Sequence, residues 1–245
     1  MTGLKGILFD LGDTLIDFGK LDTIHLFAEG GRLAYQRLVE MNQPLPPFRS
    51  FLRRQLWSVR WNYMLSRLTG REFNSLQLIR SLGRSMGHRL GPGQLEEIAW
   101  LWYQPLSAVA RVEPGLHDML AGLVSRGLKL AVVSNTFVPG IVLDRHLRET
   151  GLLEFFTARV YSCDVRYRKP HPAIFRKALD ALDIGPDEAM FVGDSLLADI
   201  KGAGRLGMVT VLKDPLNGYR PGRIQPTHIV GSLQQLPQIV AEYCR

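Results

Sequence analysis

Only two cysteines, Cys163 and Cys244, occur in the 245 residues, too few for a disulfide framework. No apolar run reaches the ~18 residues of a membrane span, and the N-terminus carries no signal-peptide pattern. These absences imply a cytoplasmic protein with no membrane partner. Lysine is missing between Lys20 and Lys129, which removes any chemistry that needs a lysine amine from that stretch. No nucleic-acid motif accompanies the positive charge and no regular aromatic spacing is interleaved with it, so no nucleic-acid partner is expected. What is present is a chain 46% hydrophobic with a formal net charge of +7, enough to bury a real core. The charge is mostly arginine, with many of these residues between Arg49 and Arg89. They read either as a solvated helical face or as an attraction for anions, and charge alone does not choose.

Strand and helix signals alternate through the C-terminal half. "LKLAVVS" (Leu128 to Ser134), "ARVYS", "AMFVG" and "MVTVL" are short β-rich apolar runs, and Thr227 to Val230 is a weaker one. Amphipathic stretches lie between them, at Pro139 to Thr150, Pro172 to Leu182, Leu196 to Leu206 and Leu233 to Tyr243. Strands joined by helices of this length pair in parallel through right-handed crossovers. The fold class is α/β, a Rossmann-like parallel sheet with helices on both faces. Asp17 to Glu113 differs: four helix-like stretches, broken at "NQPLPPF", at Thr69-Gly70 and at "GPG", with no convincing strand. The expected organisation is an α/β core over 1–16 and 114–245 with an all-helical unit over 17–113. Only two chain crossings join the units, which predicts that the helical one opens and closes as a body.

The first strand, Ile7-Leu8-Phe9, delivers Asp10. A carboxylate at the end of a buried strand is costly unless something uses or neutralises it. Other strand ends and loops bring Ser134-Asn135-Thr136, Lys169-Pro170 and Gly193-Asp194-Ser195, with Asp199 five residues beyond Asp194. In a parallel sheet these ends converge on one crevice. Clustered carboxylates there repel one another and call for a hard divalent cation with oxygen ligands. A lysine, a hydroxyl and an amide beside it suit a phosphoryl group. "GAGRLG" (Gly202 to Gly207) matches a dinucleotide fingerprint but sits at the wrong end of its helix, so it reads as a helix C-terminal turn.

This order resembles the haloacid dehalogenase superfamily, in the branch whose helical cap is inserted after the first motif. "FDLGDTL", "VVSNT", "YRKPHPAIF" and "FVGDSLLADIKGAGRLGM" are similar to its four motifs. The resemblance implies a Mg²⁺-dependent phosphatase acting on a small phosphorylated metabolite. Asp10 is then the nucleophile that becomes an aspartyl-phosphate. Ser134, Asn135 and Lys169 hold the phosphate. Mg²⁺ is bound by Asp10, Asp194 and the backbone carbonyl of Gly12, with Asp199 a supporting or alternative ligand. Gly12 is also expected to let the backbone turn close to metal and phosphate.

One position departs from the family pattern. Phosphatases of this superfamily carry an acid/base aspartate two residues after the nucleophile, where this chain has Gly12. The nearest carboxylate, Asp13, is expected to point elsewhere. The loss of general acid help, typically ~10²–10⁴-fold, leaves two alternatives open beside a phosphatase. One is other superfamily chemistry, dehalogenase-like or phosphonatase-like; the metal-type acidic pattern argues against the first and the missing lysines against the second. The other is a non-catalytic protein that binds a phosphorylated ligand. Arg53, Arg54 and Arg60 are candidates to grip an anionic tail or simply to face solvent. The sequence does not specify the oligomeric state.

Overall fold

The structure is a computed structural model that describes residues 3–20 and 22–243; Cys244 lies outside the described residues. The central sheet contains β1 (Gly6–Phe9), β4 (Lys129–Ser134), β5 (Ala158–Tyr161), β6 (Ala189–Gly193), β7 (Val209–Lys213) and β8 (His228–Val230). Its order is β5-β4-β1-β6-β7-β8, and every neighbouring pair is parallel. The two central strands β1 (GILF) and β6 (AMFVG) are apolar and buried along their whole length because both faces are covered. Side chains alternate between the faces: Ile7, Phe9, Leu130, Val132 and Val192 enter one apolar cluster, while Leu8, Ala131, Val133 and Phe191 enter the other. The expected α/β fold with helices on both faces is the observed one.

Each face is closed by helices whose apolar stripe matches it. On the first lie α5 (Leu116–Ser125), α6 (Gly140–Glu149) and α10 (Leu236–Tyr243), through Leu116, Leu120, Leu147 and Val240. On the second lie α8 (Pro172–Leu182) and α9 (Lys201–Gly204), through Ile174, Phe175 and Ala203. The GAGRLG stretch ends α9 and leads into β7, with Gly207 at φ +90°, a left-handed turn of the kind that closes helices. A four-residue helix, α7 (Ser162–Val165), follows β5 directly.

Between β1 and β4 run four longer helices: α1 (Thr23–Glu40), α2 (Phe48–Thr69), α3 (Ser75–Ser85) and α4 (Pro92–Val109). Asp22 caps α1 by accepting from the His25 N–H, and Gly70 ends α2 in the left-handed conformation. A short ribbon that the sequence did not announce flanks this segment. β2 (Ile16–Asp17) pairs antiparallel with β3 (Arg111–Val112). Two-residue strands are too short for an alternation to register. Lys213 fastens both flanks to the sheet: its Nζ donates to the Thr14 carbonyl at 2.7 Å and pairs with Glu113 Oε2 at 3.4 Å.

The helical segment meets the sheet domain in two different ways. On α4, Ala99, Trp100 and Tyr103 are part of the main apolar cluster, so this helix is packed into the core rather than poised above it. This contact restrains the expected opening as a body. The α2–α3 connection docks through polar groups instead. The Glu72 carboxylate, whose side chain is fully buried, pairs with Arg168 and accepts from Ser66 Oγ at 2.8 Å and Ser162 Oγ at 3.1 Å. Phe73 stacks on Phe137 at 5.1 Å beside it.

Breaking one side of a buried ion pair leaves the other charge uncompensated, at a cost of about 3–5 kcal/mol. Arg168→Ala is therefore expected to lower the melting temperature by about 6–12 °C, the shift that about 3 kcal/mol causes in a chain of this size. Replacing both partners by methionine should recover most of that loss. A drop of less than about 2 °C in the single variant would show that Glu72 is solvated rather than held.

Candidate active site

Three strand ends meet where the connections leaving the sheet diverge, on either side of β1, which is where parallel sheets bind ligands. Asp10 follows β1 and continues its ladder through an N–H bond to the Val192 carbonyl at 2.9 Å. Ser134 ends β4 on one side, and Asp194 follows β6 on the other. All three line one open cavity of about 1430 Å³ together with Asn135, Lys169 and Gly12.

Lys169 organises this site. Its ammonium is buried, with the side chain 1% exposed, and lies 2.8 Å from Asp10 Oδ1 and 2.7 Å from Asp199 Oδ1. It also donates to the Val133 carbonyl at 2.8 Å. The contact with Val133 is a hydrogen bond, and the two carboxylates are held as ion pairs. Burial by itself would lower this lysine, but Asp10 and Asp199 outweigh that and hold it above its ordinary value. The side chain of Asn135, expected to touch phosphate, is committed elsewhere. Its Oδ1 accepts from the Lys169 N–H at 2.7 Å, and its Nδ2 donates to the Lys169 carbonyl at 3.1 Å. The carboxamide clamps the lysine backbone in place. Ser134 is different: its hydroxyl makes no hydrogen bond among the described residues, in the cavity wall.

The carboxylates divide into one that is buried and two that face the cavity. Asp199 is fully buried; Oδ1 meets Lys169, and Oδ2 accepts from the Ser195 N–H at 3.0 Å. A π-helix over Leu196–Ile200, in which the Ile200 N–H reaches the Ser195 carbonyl, turns Asp199 inward. It packs so tightly over Gly193 that a Cβ there would lie 2.4 Å from Asp199 Oδ2, so that strand end must be glycine. Asp10 spends Oδ1 on Lys169 and on the Leu11 N–H at 2.8 Å. Its Oδ2 accepts no hydrogen bond among the described residues. Asp194 is exposed to the cavity.

Burial pushes all three carboxyls up, Asp199 to about 6, with Lys169 pulling Asp10 and Asp199 back and Asp199 adding to the rise at Asp194. One oxygen from each of the three lies within 4.8 Å of the others. Three carboxylates against one ammonium leave an excess of negative charge, and the open atoms are hard oxygen donors. This set fits a divalent cation of the Mg²⁺ type, which takes carboxylate oxygens and keeps the rest of its shell for water and phosphate.

The turn after Asp10 differs from what the sequence suggested. Gly12 is not in the left-handed region; Asp13 is, at φ +56°. Aspartate tolerates that region better than most side chains, and the conformation is stabilised by an Asp13 N–H bond to the Ile16 carbonyl at 2.7 Å. A Cβ placed on Gly12 would meet only the Phe18 ring at 3.5 Å, an ordinary contact. Backbone freedom is therefore not why position 12 is glycine. Nor does Asp13 point away: it lines the cavity and raises the Asp194 carboxyl by its charge.

Sequence reasoning also missed the cavity's far wall. Arg53, Arg54 and Arg60 are exposed and lie outside the lining. Arg67 and Arg71, at the end of α2 and just past it, line it instead, as do Arg168 and Arg205. Helical periodicity alone could not separate these arginines; the left-handed stop at Gly70, which aims the end of α2 at the site, was the available signal.

Comparison with known proteins places the chain in a family. The family model of haloacid dehalogenase-like hydrolases matches residues 4–207. A glyceraldehyde 3-phosphate phosphatase of Methanopyrus kandleri is 30% identical over 210 residues, 85% of this chain and 83% of the relative. The crystal structure of a HAD phosphatase from Thermococcus onnurineus matches with a TM-score of 0.64 at 24% identity, covering 99% of this chain and all of that one. A 2-haloacid dehalogenase from Pseudomonas syringae matches with a TM-score of 0.67 at 22% identity, covering 98% and 99%. At these identities the solved structures show the fold alone. The family match over most of the chain decides the assignment: the chain belongs to the haloacid dehalogenase-like hydrolases.

Proposed function

We propose that the protein is a Mg²⁺-dependent phosphatase of a small phosphorylated metabolite, working through an aspartyl-phosphate on Asp10. One observation carries the reading. Lys169 fixes Asp10 by one oxygen and leaves the other open to a cavity that Asp194 also lines. A nucleophile held this way is oriented without being blocked. The phosphatase name of the Methanopyrus relative supports the substrate class. The acidic cluster favours a metal-assisted reaction over a dehalogenase-like one. We further propose that residues 17–113 act as a cap over the site, with α4 as its fixed side.

In this reading Asp10 Oδ2 attacks phosphorus and the P–O bond to the leaving group breaks, giving the acyl phosphate. Ser134 binds a phosphoryl oxygen through its free hydroxyl. Asn135 holds Lys169, which keeps Asp10 ionised. Asp199, fully buried, serves as the counter-charge of Lys169. Asp10, Asp194 and the Gly12 carbonyl would hold a Mg²⁺ ion, which would neutralise the phosphoryl charge. Water then cleaves the acyl phosphate, returning Asp10 and releasing inorganic phosphate.

No side chain at position 12 can protonate the leaving group. Aryl and acyl phosphates, which leave without much protonation, are expected to outrun alkyl phosphates by about 10²-fold or more. A panel of phosphate monoesters assayed with and without Mg²⁺ checks this. Absence of turnover on every member, with Mg²⁺ present, would remove the phosphatase reading.

The geometry at the turn makes a second prediction specific. Gly12→Asp has room for its Cβ, and Asp13→Gly relieves the positive φ. The double variant is expected to raise alkyl phosphate turnover by about 10²-fold, the lower end of what a positioned acid contributes. If Asp13→Ala alone abolishes turnover while the fold is retained, Asp13 is itself the acid/base and the glycine is not a loss.

A further inference from the structure

A second, smaller chamber lies inside the helical segment, bounded by α1, α2, α3 and α4 and by the loop after β4. Its volume is about 120 Å³. Its walls are almost wholly apolar, among them Leu26, Leu56, Val59, Leu78 and Ile79. It is not isolated from the acidic site: Tyr103, Leu106, Phe137 and Val138 line both cavities. The polar side chains in the lining are Thr23, Gln55, Ser75 and Tyr103, and Gln55 is the longest flexible one. Gln55 is 5% exposed, lines the chamber, and its carboxamide makes no hydrogen bond among the described residues. In ligand pockets, polar groups set among apolar walls orient what binds.

We infer that this chamber holds the apolar part of the substrate, so that the ligand is a phosphate monoester whose organic group is a hydrocarbon of about four to six carbons, with one hydrogen-bonding function that reaches Gln55. The inference rests on the phosphate-binding reading of the acidic site and deepens it. Size sets the group: an apolar cavity of about 150 Å³ in another protein takes up benzene, so about 120 Å³ takes a slightly smaller one. The shared wall sets the direction. A phosphoryl group at Asp10 and an apolar tail passing Phe137 and Leu106 occupy the two cavities at once. The cationic rim, Arg67 and Arg71, then faces the phosphate rather than the tail.

The test uses alkylphosphonates, which carry the anion and the tail but no cleavable P–O ester bond. Calorimetric titration of the full chain with Mg²⁺ and methyl- through dodecylphosphonate is expected to show Kd falling about three- to fourfold per methylene. The fall should stop near six carbons, when the chamber is full. Val59→Phe, which fills the chamber from α2, should erase most of the advantage of hexyl- over methylphosphonate. Gln55→Leu should shift the ratio of affinities for hexyl- and 6-hydroxyhexylphosphonate about fivefold toward the plain chain. A Kd independent of chain length, or one that keeps falling to dodecyl, would overturn the inference. So would a Val59→Phe protein with an unchanged hexyl advantage. Titration with 1-hexanol separates the two readings. Hexanol binding that Val59→Phe abolishes, with no phosphonate bound, would fault the phosphate site and retain the chamber.

Discussion

The ammonium of Lys169 sits between two carboxylates in a place with almost no water, and the arrangement around it follows from that. The lysine also donates to a carbonyl of β4, and its backbone is clamped by Asn135. The lysine thus has no freedom to leave. Asp199 is tolerated at zero exposure because its Oδ1 pairs with the Lys169 charge and its Oδ2 accepts from the Ser195 N–H. Asp10 is tolerated at a strand end because the same charge meets one of its oxygens. A buried charge network survives only when each member is matched. Here Asp194 is the carboxylate with no cation beside it, and it is the one that opens to the cavity.

That imbalance links the fold to the chemistry. β1 and its parallel neighbour β6 deliver Asp10 and Asp194 side by side, and the π-turn after β6 places Asp199 against Gly193. Burial pushes all three carboxyls toward the neutral form. Ionising them together requires more positive charge than Lys169 supplies, and a hard divalent cation is the simplest source. The swap of glycine and aspartate at positions 12 and 13 then sets the limits of the reaction. The nucleophile and its counter-charge are in place, while the family's usual proton donor is not. Asp13 instead occupies the left-handed position of the turn and adds its charge to the cavity edge.

Most of this was legible in the sequence where the signal was local. The strand ahead of Asp10, the apolar runs of β4 and β6 and the helix from Pro172 to Leu182 announce themselves by pattern. Asp10, Lys169 and Asp194 follow because they stand at the ends of those runs. What stayed hidden depends on contacts between distant segments. The commitment of Asn135 to the Lys169 backbone, the Glu72–Arg168 pair and the β2–β3 ribbon each join residues tens of positions apart. The shape of the turn at Gly12 was hidden for a related reason: glycine permits an unusual backbone without showing that one is used, and the neighbouring aspartate uses it. The chamber beside Gln55 needs four helices and a loop to exist, so no single stretch could suggest it.

The claim on which the account turns is that Asp10 and Asp194, above the buried Asp199, form a cation site. Thermal unfolding with and without Mg²⁺ tests it directly. A ligand at about 100 times its Kd that binds only the folded chain adds about 2.7 kcal/mol, which for a chain of this size is a rise of about 5–10 °C. The wild-type protein is predicted to show a rise of that order at saturating Mg²⁺, and Asp194→Asn to lose most of it. Identical melting temperatures with and without Mg²⁺ in the wild-type protein would contradict the account.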